Sequence, residues 1–150
     1  VFSSPPAAVR SASSYAVANE RARAATGKGL SAQSWALVPK IEAATDFARV
    51  SLVRVVEAHP ELCFATMADG VPIRAPKPSW AGHRARCRRL ESVGLAIPDD
   101  LGDAGRAGAP DVLDAAAVAW TAQRLADGRA RSLPDPPEVD PEGMPVAIWV

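Results

Sequence analysis

The sequence predicts an α/β chain that is predominantly helical, with few strands. Three observations carry that reading. A β-branched run, Leu52-Val-Arg-Val-Val56, ends in Glu57 and has the composition of a strand packed inside an α/β fold. A second run, Val146-Ala-Ile-Trp-Val150, reads as a terminal strand. The rest is dominated by segments of helical period, opened by serine caps and stopped by glycine.

The totals bound the answer. With 150 residues the chain is sized for a single domain, 1–150, with its own core. Its 17 basic and 17 acidic residues cancel, so only local clusters can select a charged partner. No apolar run reaches the length of a membrane span, and no basic n-region precedes a signal-like segment. Cys63 and Cys87 lack CxxC spacing, which indicates neither a disulfide framework nor a zinc site. A reducing, cytoplasmic setting is the expectation.

In chain order, residues 1–14 open as a loop in which Pro5 and Pro6 start one helical turn. Ser13 or Ser14 caps a helix from Tyr15 to Thr26 with Tyr15, Ala18, Ala22 and Ala25 on one face, and Gly27 stops it. Gly27-Lys28-Gly29 lacks the spacing of a phosphate-binding loop, so Lys28 reads as an exposed lysine after a helix stop, still able to reach a phosphate as a point charge. Ser31 caps the next helix, with Trp35, Leu37, Val38, Ile41, Ala44 and Ala48 inward and Pro39 as a kink or restart. The Leu52–Glu57 strand follows, turns at His59, and leads through Pro60 into a short helix ending near Ala68.

Three prolines between Val71 and Pro78 make a loop or edge segment. Ser79 caps a helix from Trp80 to Val93, with Trp80, His83, Cys87 and Leu90 on one stripe and His83 read as a packed side chain. Residues 96–109 read as a loop, and Asp111 to Asp127 as the last helix. The five prolines of residues 132–145 predict an extended arm before the terminal strand.

Two clusters carry possible chemistry. Glu57 at the strand tip, with His59 and Glu61 beyond it, is either a solvated strand end or a catalytic tip. Asp111 and Asp114 share one face of the last helix; capping accounts well for Asp111 and less well for Asp114. If Glu57, Asp111 and Asp114 converge, they suit a hard divalent cation, Mg²⁺ or Mn²⁺, and metal-assisted phosphodiester hydrolysis. The second cluster runs from Val71 to Leu90, with no acid and six cations: Arg74, Lys77, Arg84, Arg86, Arg88 and Arg89. It is either a phosphate-binding patch, with Arg84, Arg88 and Arg89 in the lead, or an ordinary solvated helix face.

Three blocks resemble a known family: Thr26-Gly-Lys-Gly-Leu-Ser-Ala-Gln-Ser-Trp-Ala-Leu-Val-Pro-Lys-Ile41, Val56-Glu-Ala-His-Pro-Glu-Leu-Cys-Phe64 and Pro110-Asp-Val-Leu-Asp-Ala115. They look like domain of unknown function 429, described as predicted nucleases of RNase H-like fold. The resemblance implies a mixed sheet flanked by helices, with Glu57 on the fourth strand and Asp111 and Asp114 in the last helix. It implies a metal-dependent nuclease acting on DNA or RNA, with Glu57, Asp111 and Asp114 as metal ligands and Glu61 and His59 as supporting or proton-transfer groups. One departure stands out. The family's opening strands, the first with an essential aspartate, have no counterpart ahead of Phe2, and no aspartate precedes Asp46. The chain therefore looks like the C-terminal two-thirds of a family member, inactive as a fragment. The alternative is a non-catalytic nucleic-acid-binding or protein-interaction module.

Overall fold

The computed structural model describes residues 5–140 and 142–150. The chain divides into two compact units, Val1–Val55 and Val56–Val150. Residues 1–4 of the expected opening loop, and Pro141 of the proline-rich arm, lie outside the described residues.

The first unit is helical. A 3-10 turn at Ala7–Val9 follows the two prolines, and α1 (Tyr15–Thr26) is capped by Ser14, whose hydroxyl accepts from the Val17 amide. Gly27 ends α1 in the left-handed region, φ 72°, where a side chain would be strained. Helix α2 (Ala32–Val50) starts on Ser31 and runs through Pro39 without interruption. Val9, Ala18, Ala22, Leu30 and Val38 form the buried cluster, joined by Ala12 and Trp35. The Leu30 peptide is pinned on both sides: its amide donates to Asn19 Oδ1 at 2.8 Å and its carbonyl accepts from the Tyr15 hydroxyl at 2.6 Å.

The second unit is α/β: a small mixed sheet flanked by helices. It holds β1 (Glu57–Ala58), α3 (Pro60–Thr66), α4 (Trp80–Ser92), a 3-10 turn at Gly102–Arg106, α5 (Ala109–Ala126), β2 (Ser132–Val139) and β3 (Pro145–Trp149). The sheet order is β1-β3-β2, with β1 parallel and β2 antiparallel to β3. Phe64 and Cys63 of α3, Leu90 of α4, and Leu113 and Ala117 of α5 make the core. Fully burying a Phe or Leu stabilises by about 1.5–3 kcal/mol each, so these few side chains carry much of this unit's stability.

Three expectations change. The Leu52–Glu57 run is not a buried strand: of this stretch only Glu57, with the following Ala58, pairs with β3, and Leu52, Val53 and Val55 are exposed. β-branched composition favours extended backbone, but a strand forms only where a partner accepts from its amides and donates to its carbonyls. The proline-rich stretch is extended as expected, yet its first part is β2, paired with β3. Its register shifts between Leu133 and Glu138, where Pro134, Pro136 and Pro137 have no N–H to donate. Trp80, expected on the apolar stripe, is 76% exposed. It sits in the first turn of α4, before the stripe reaches the core.

Candidate functional site

The sequence-predicted carboxylates stand on three different elements of the second unit. Glu57 is exposed on β1, in register with Ile148. Asp111 is exposed in the first turn of α5, behind Gly108 as the N-cap, where its charge faces the positive helix end. Asp114, a turn further in, is three-quarters buried, and its Oδ2 is held by the Lys77 ammonium from the proline-rich loop. Its Oδ1 is buried without a hydrogen-bond partner.

These groups do not form the expected cage. Among the described residues, no three His, Cys, Asp or Glu side chains lie close enough to hold a metal ion. The cation on Asp114 is a lysine of the same chain. As placed, Glu57, Asp111 and Asp114 do not fit a three-carboxylate Mg²⁺ or Mn²⁺ site.

The supporting groups have other partners. Glu61 Oε1 accepts two bonds from Arg86, 2.6 Å from Nη2 and 3.2 Å from Nε. Only 3% of the Arg86 side chain is exposed. Its guanidinium also donates to the Gly82 carbonyl at 3.1 Å and lies 5.6 Å from the Phe64 ring centre. This pair closes α3 onto α4, a structural role. His59 is the exposed N-cap of α3, and its carbonyl, not its ring, takes the Leu62 and Cys63 amides.

The basic run divides the same way. Arg89 is committed to the Phe64 and Val71 carbonyls, 3.0 Å each, and Lys77 to Asp114. Arg84, Arg88 and Arg74 make no ion pair among the described residues, and Arg88 and Arg74 are exposed. The Arg84 guanidinium lies 5.9 Å from the centre of the Trp80 ring, and His83 stacks on Trp80 with ring centres 5.8 Å apart. The helix spacing 80, 83, 84 puts these three on adjoining positions. Lys28 belongs to the first unit and is exposed beyond the α1 stop.

Trp80 is the functional candidate that the sequence reading missed. Its position directly after the Ser79 cap, with Arg84 one turn on, was the available signal. A residue in the first helical turn can escape the core even when its period matches the buried stripe.

Among the described residues, no helix is long and apolar enough to cross a membrane. No curated protein and no solved structure gives a significant match to the chain. A family model does match, over residues 1–139, and its description is protein of unknown function, DUF429. With nearly the whole length covered, the chain belongs to the DUF429 family.

Proposed function

We propose that the second unit binds single-stranded nucleic acid on the outer face of α4. The observation that carries this is Trp80: a large aromatic 76% exposed, with the Arg84 guanidinium against its ring and the exposed Arg88 one turn further. Flat aromatics flanked by cations suit this ligand, because bases stack on the ring while arginines neutralise phosphates. Stacking on one such ring is worth about 1–3 kcal/mol. Binding of a labelled oligonucleotide across a salt series tests it. Trp80→Ala should weaken affinity at every salt concentration. The Arg84→Ala, Arg88→Ala double variant should flatten the slope of log affinity against log salt by about 1.4, the share of two single-strand phosphates. Equal slopes for parent and double variant would return the helix face to ordinary solvated surface.

A second reading is phosphodiester hydrolysis with Mg²⁺ or Mn²⁺ in a chain of RNase H-like descent. One observation favours it: the buried Asp114 Oδ1 has no hydrogen-bond partner, an acceptor left open on the carboxylate that capping explains least. That reading requires Lys77 to release Asp114, and Glu57 and Asp111 to close on it. Thermal midpoints with and without millimolar Mg²⁺ decide. The parent should gain stability by mass action, and Glu57→Gln and Asp114→Asn should lose that gain together with any cleavage of DNA or RNA. Identical Mg²⁺ responses in parent and variants would make both carboxylates purely structural.

A further inference from the structure

The inner edge of α4 carries a feature that neither reading uses. His83 and Cys87 stand one helical turn apart, with Nε2 and Sγ separated by 3.6 Å. Both line a cleft of about 390 Å³ walled by α4, the loop from Ile97 to Ala107, and the start of α5. The sequence showed two unrelated thiols and a packed histidine; the helix brings one thiol to the imidazole. Stacking on Trp80 fixes the plane of that imidazole.

The surroundings of the two cysteines differ in kind. Cys63 is fully buried and accepts a hydrogen bond from the Thr121 hydroxyl at 3.1 Å. Cys87 is half-buried, with its thiol at the cleft wall. The cleft also presents charges of both signs: Arg84 beside the dyad, Glu91 one turn along α4, and Asp99 on the loop. Its apolar floor is Ile97, Val112 and Leu113. A ligand matched to that lining is small, bears both carboxylate and ammonium groups, and carries an atom that a thiolate attacks.

We propose that Cys87 is a thiol–disulfide exchange site for a small zwitterionic disulfide. His83 Nε2 takes the proton from the Cys87 thiol. The thiolate attacks one sulfur of the disulfide, forming a mixed disulfide to Cys87 and breaking the ligand's S–S bond. The second half leaves as a thiolate and takes the proton back from His83, so no further oxidant or reductant enters. Arg84 holds a ligand carboxylate, and Glu91 and Asp99 face its ammonium.

Glutathione disulfide is the probe, with intact-mass and peptide-mass readout on the whole chain. One adduct per chain is expected, at Cys87, absent in Cys87→Ser, while Cys63 stays unmodified until the fold is lost. His83→Gln should slow the reaction about a hundredfold, the lower end of what a positioned base contributes. Arg84→Ala should slow glutathione disulfide while leaving hydroxyethyl disulfide, which is neutral, unchanged. That pair of probes, compared between the parent and Arg84→Ala, decides the matter even if His83→Gln does not fold: equal slowing of both, or of neither, would overturn the proposal. Modification at Cys63 first, a Cys87 rate no faster than that of the chain in denaturant, or an unchanged rate in His83→Gln would each overturn the proposal. None of these outcomes depends on nucleic-acid binding.

Discussion

The two faces of α4 carry the same residue type to opposite ends. On the inward side Arg86 and Arg89 are spent on the fold, one on Glu61 and the Gly82 carbonyl, the other on two carbonyls at the end of α3 and beyond. On the outward side Arg84 and Arg88 have no ion-pair partner among the described residues, and an exposed tryptophan stands beside them. A run of arginines in sequence is therefore not a patch. Two of its members hold a helix down, and only the remainder are free to meet a phosphate.

The largest effect should come from the inward side. Arg86→Ala removes a buried guanidinium, leaves Glu61 unpaired and opens a void against Phe64, for an expected loss of about 3–5 kcal/mol in denaturant unfolding. Arg86→Met, which refills the volume without the charge, should recover a substantial part of it. The Arg84→Ala, Arg88→Ala double variant should stay within about 0.5 kcal/mol of the parent. If the outward pair cost as much as Arg86, the division between the faces would fail.

A smaller loss is expected where the loop crosses α4. A Cβ on Gly82 would come within 2.0 Å of the Pro76 carbonyl oxygen, a backbone atom that cannot swing away. Gly82→Ala should cost about 1–3 kcal/mol even though alanine is the better helix former. Urea midpoints for this variant sharpen the picture of α4 as a helix clamped along its inward side. A neutral or stabilising result would show that the loop yields.

The smallest effect is a pH dependence of the core. Burial pushes the Cys63 thiol up from its ordinary range, the Thr121 hydrogen bond partly opposes this, and the Asp114 charge adds to the rise. The folded chain thus holds this proton at a pH where the unfolded chain releases it. The contribution to stability is full below the unfolded pKa and is lost as pH rises through the folded one. The parent should lose stability on moving from neutral to alkaline pH more steeply than Cys63→Ala, measured by unfolding across that range. Parallel curves would remove Cys63 from the titration.

Much of the local structure was legible in the residues. Serine caps at Ser14, Ser31 and Ser79 open α1, α2 and α4 where the sequence placed them. Gly27 stops α1, and Pro60 opens α3. Family membership was also legible in three short blocks. The site was less so, because its members were chosen by charge and spacing. Glu61 and Arg86 lie far apart in sequence and meet only when α3 packs on α4. Lys77 reaches Asp114 by the same kind of long-range closure.

The sequence by itself determined where most helices begin and end, because caps, left-handed glycines and proline starts act within a turn of the residues that encode them. It also determined the helical stripe on which Leu90 is buried. Only the tertiary structure decided whether an extended run becomes a strand and whether a charge becomes a ligand. Leu52, Val53 and Val55 have strand composition yet lie outside the sheet among the described residues, while proline-rich Ser132–Val139 has a partner and joins it. A strand is completed by hydrogen bonds from a distant segment, and a carboxylate takes its role from whichever cation the fold brings to it; neither is written in the neighbouring residues.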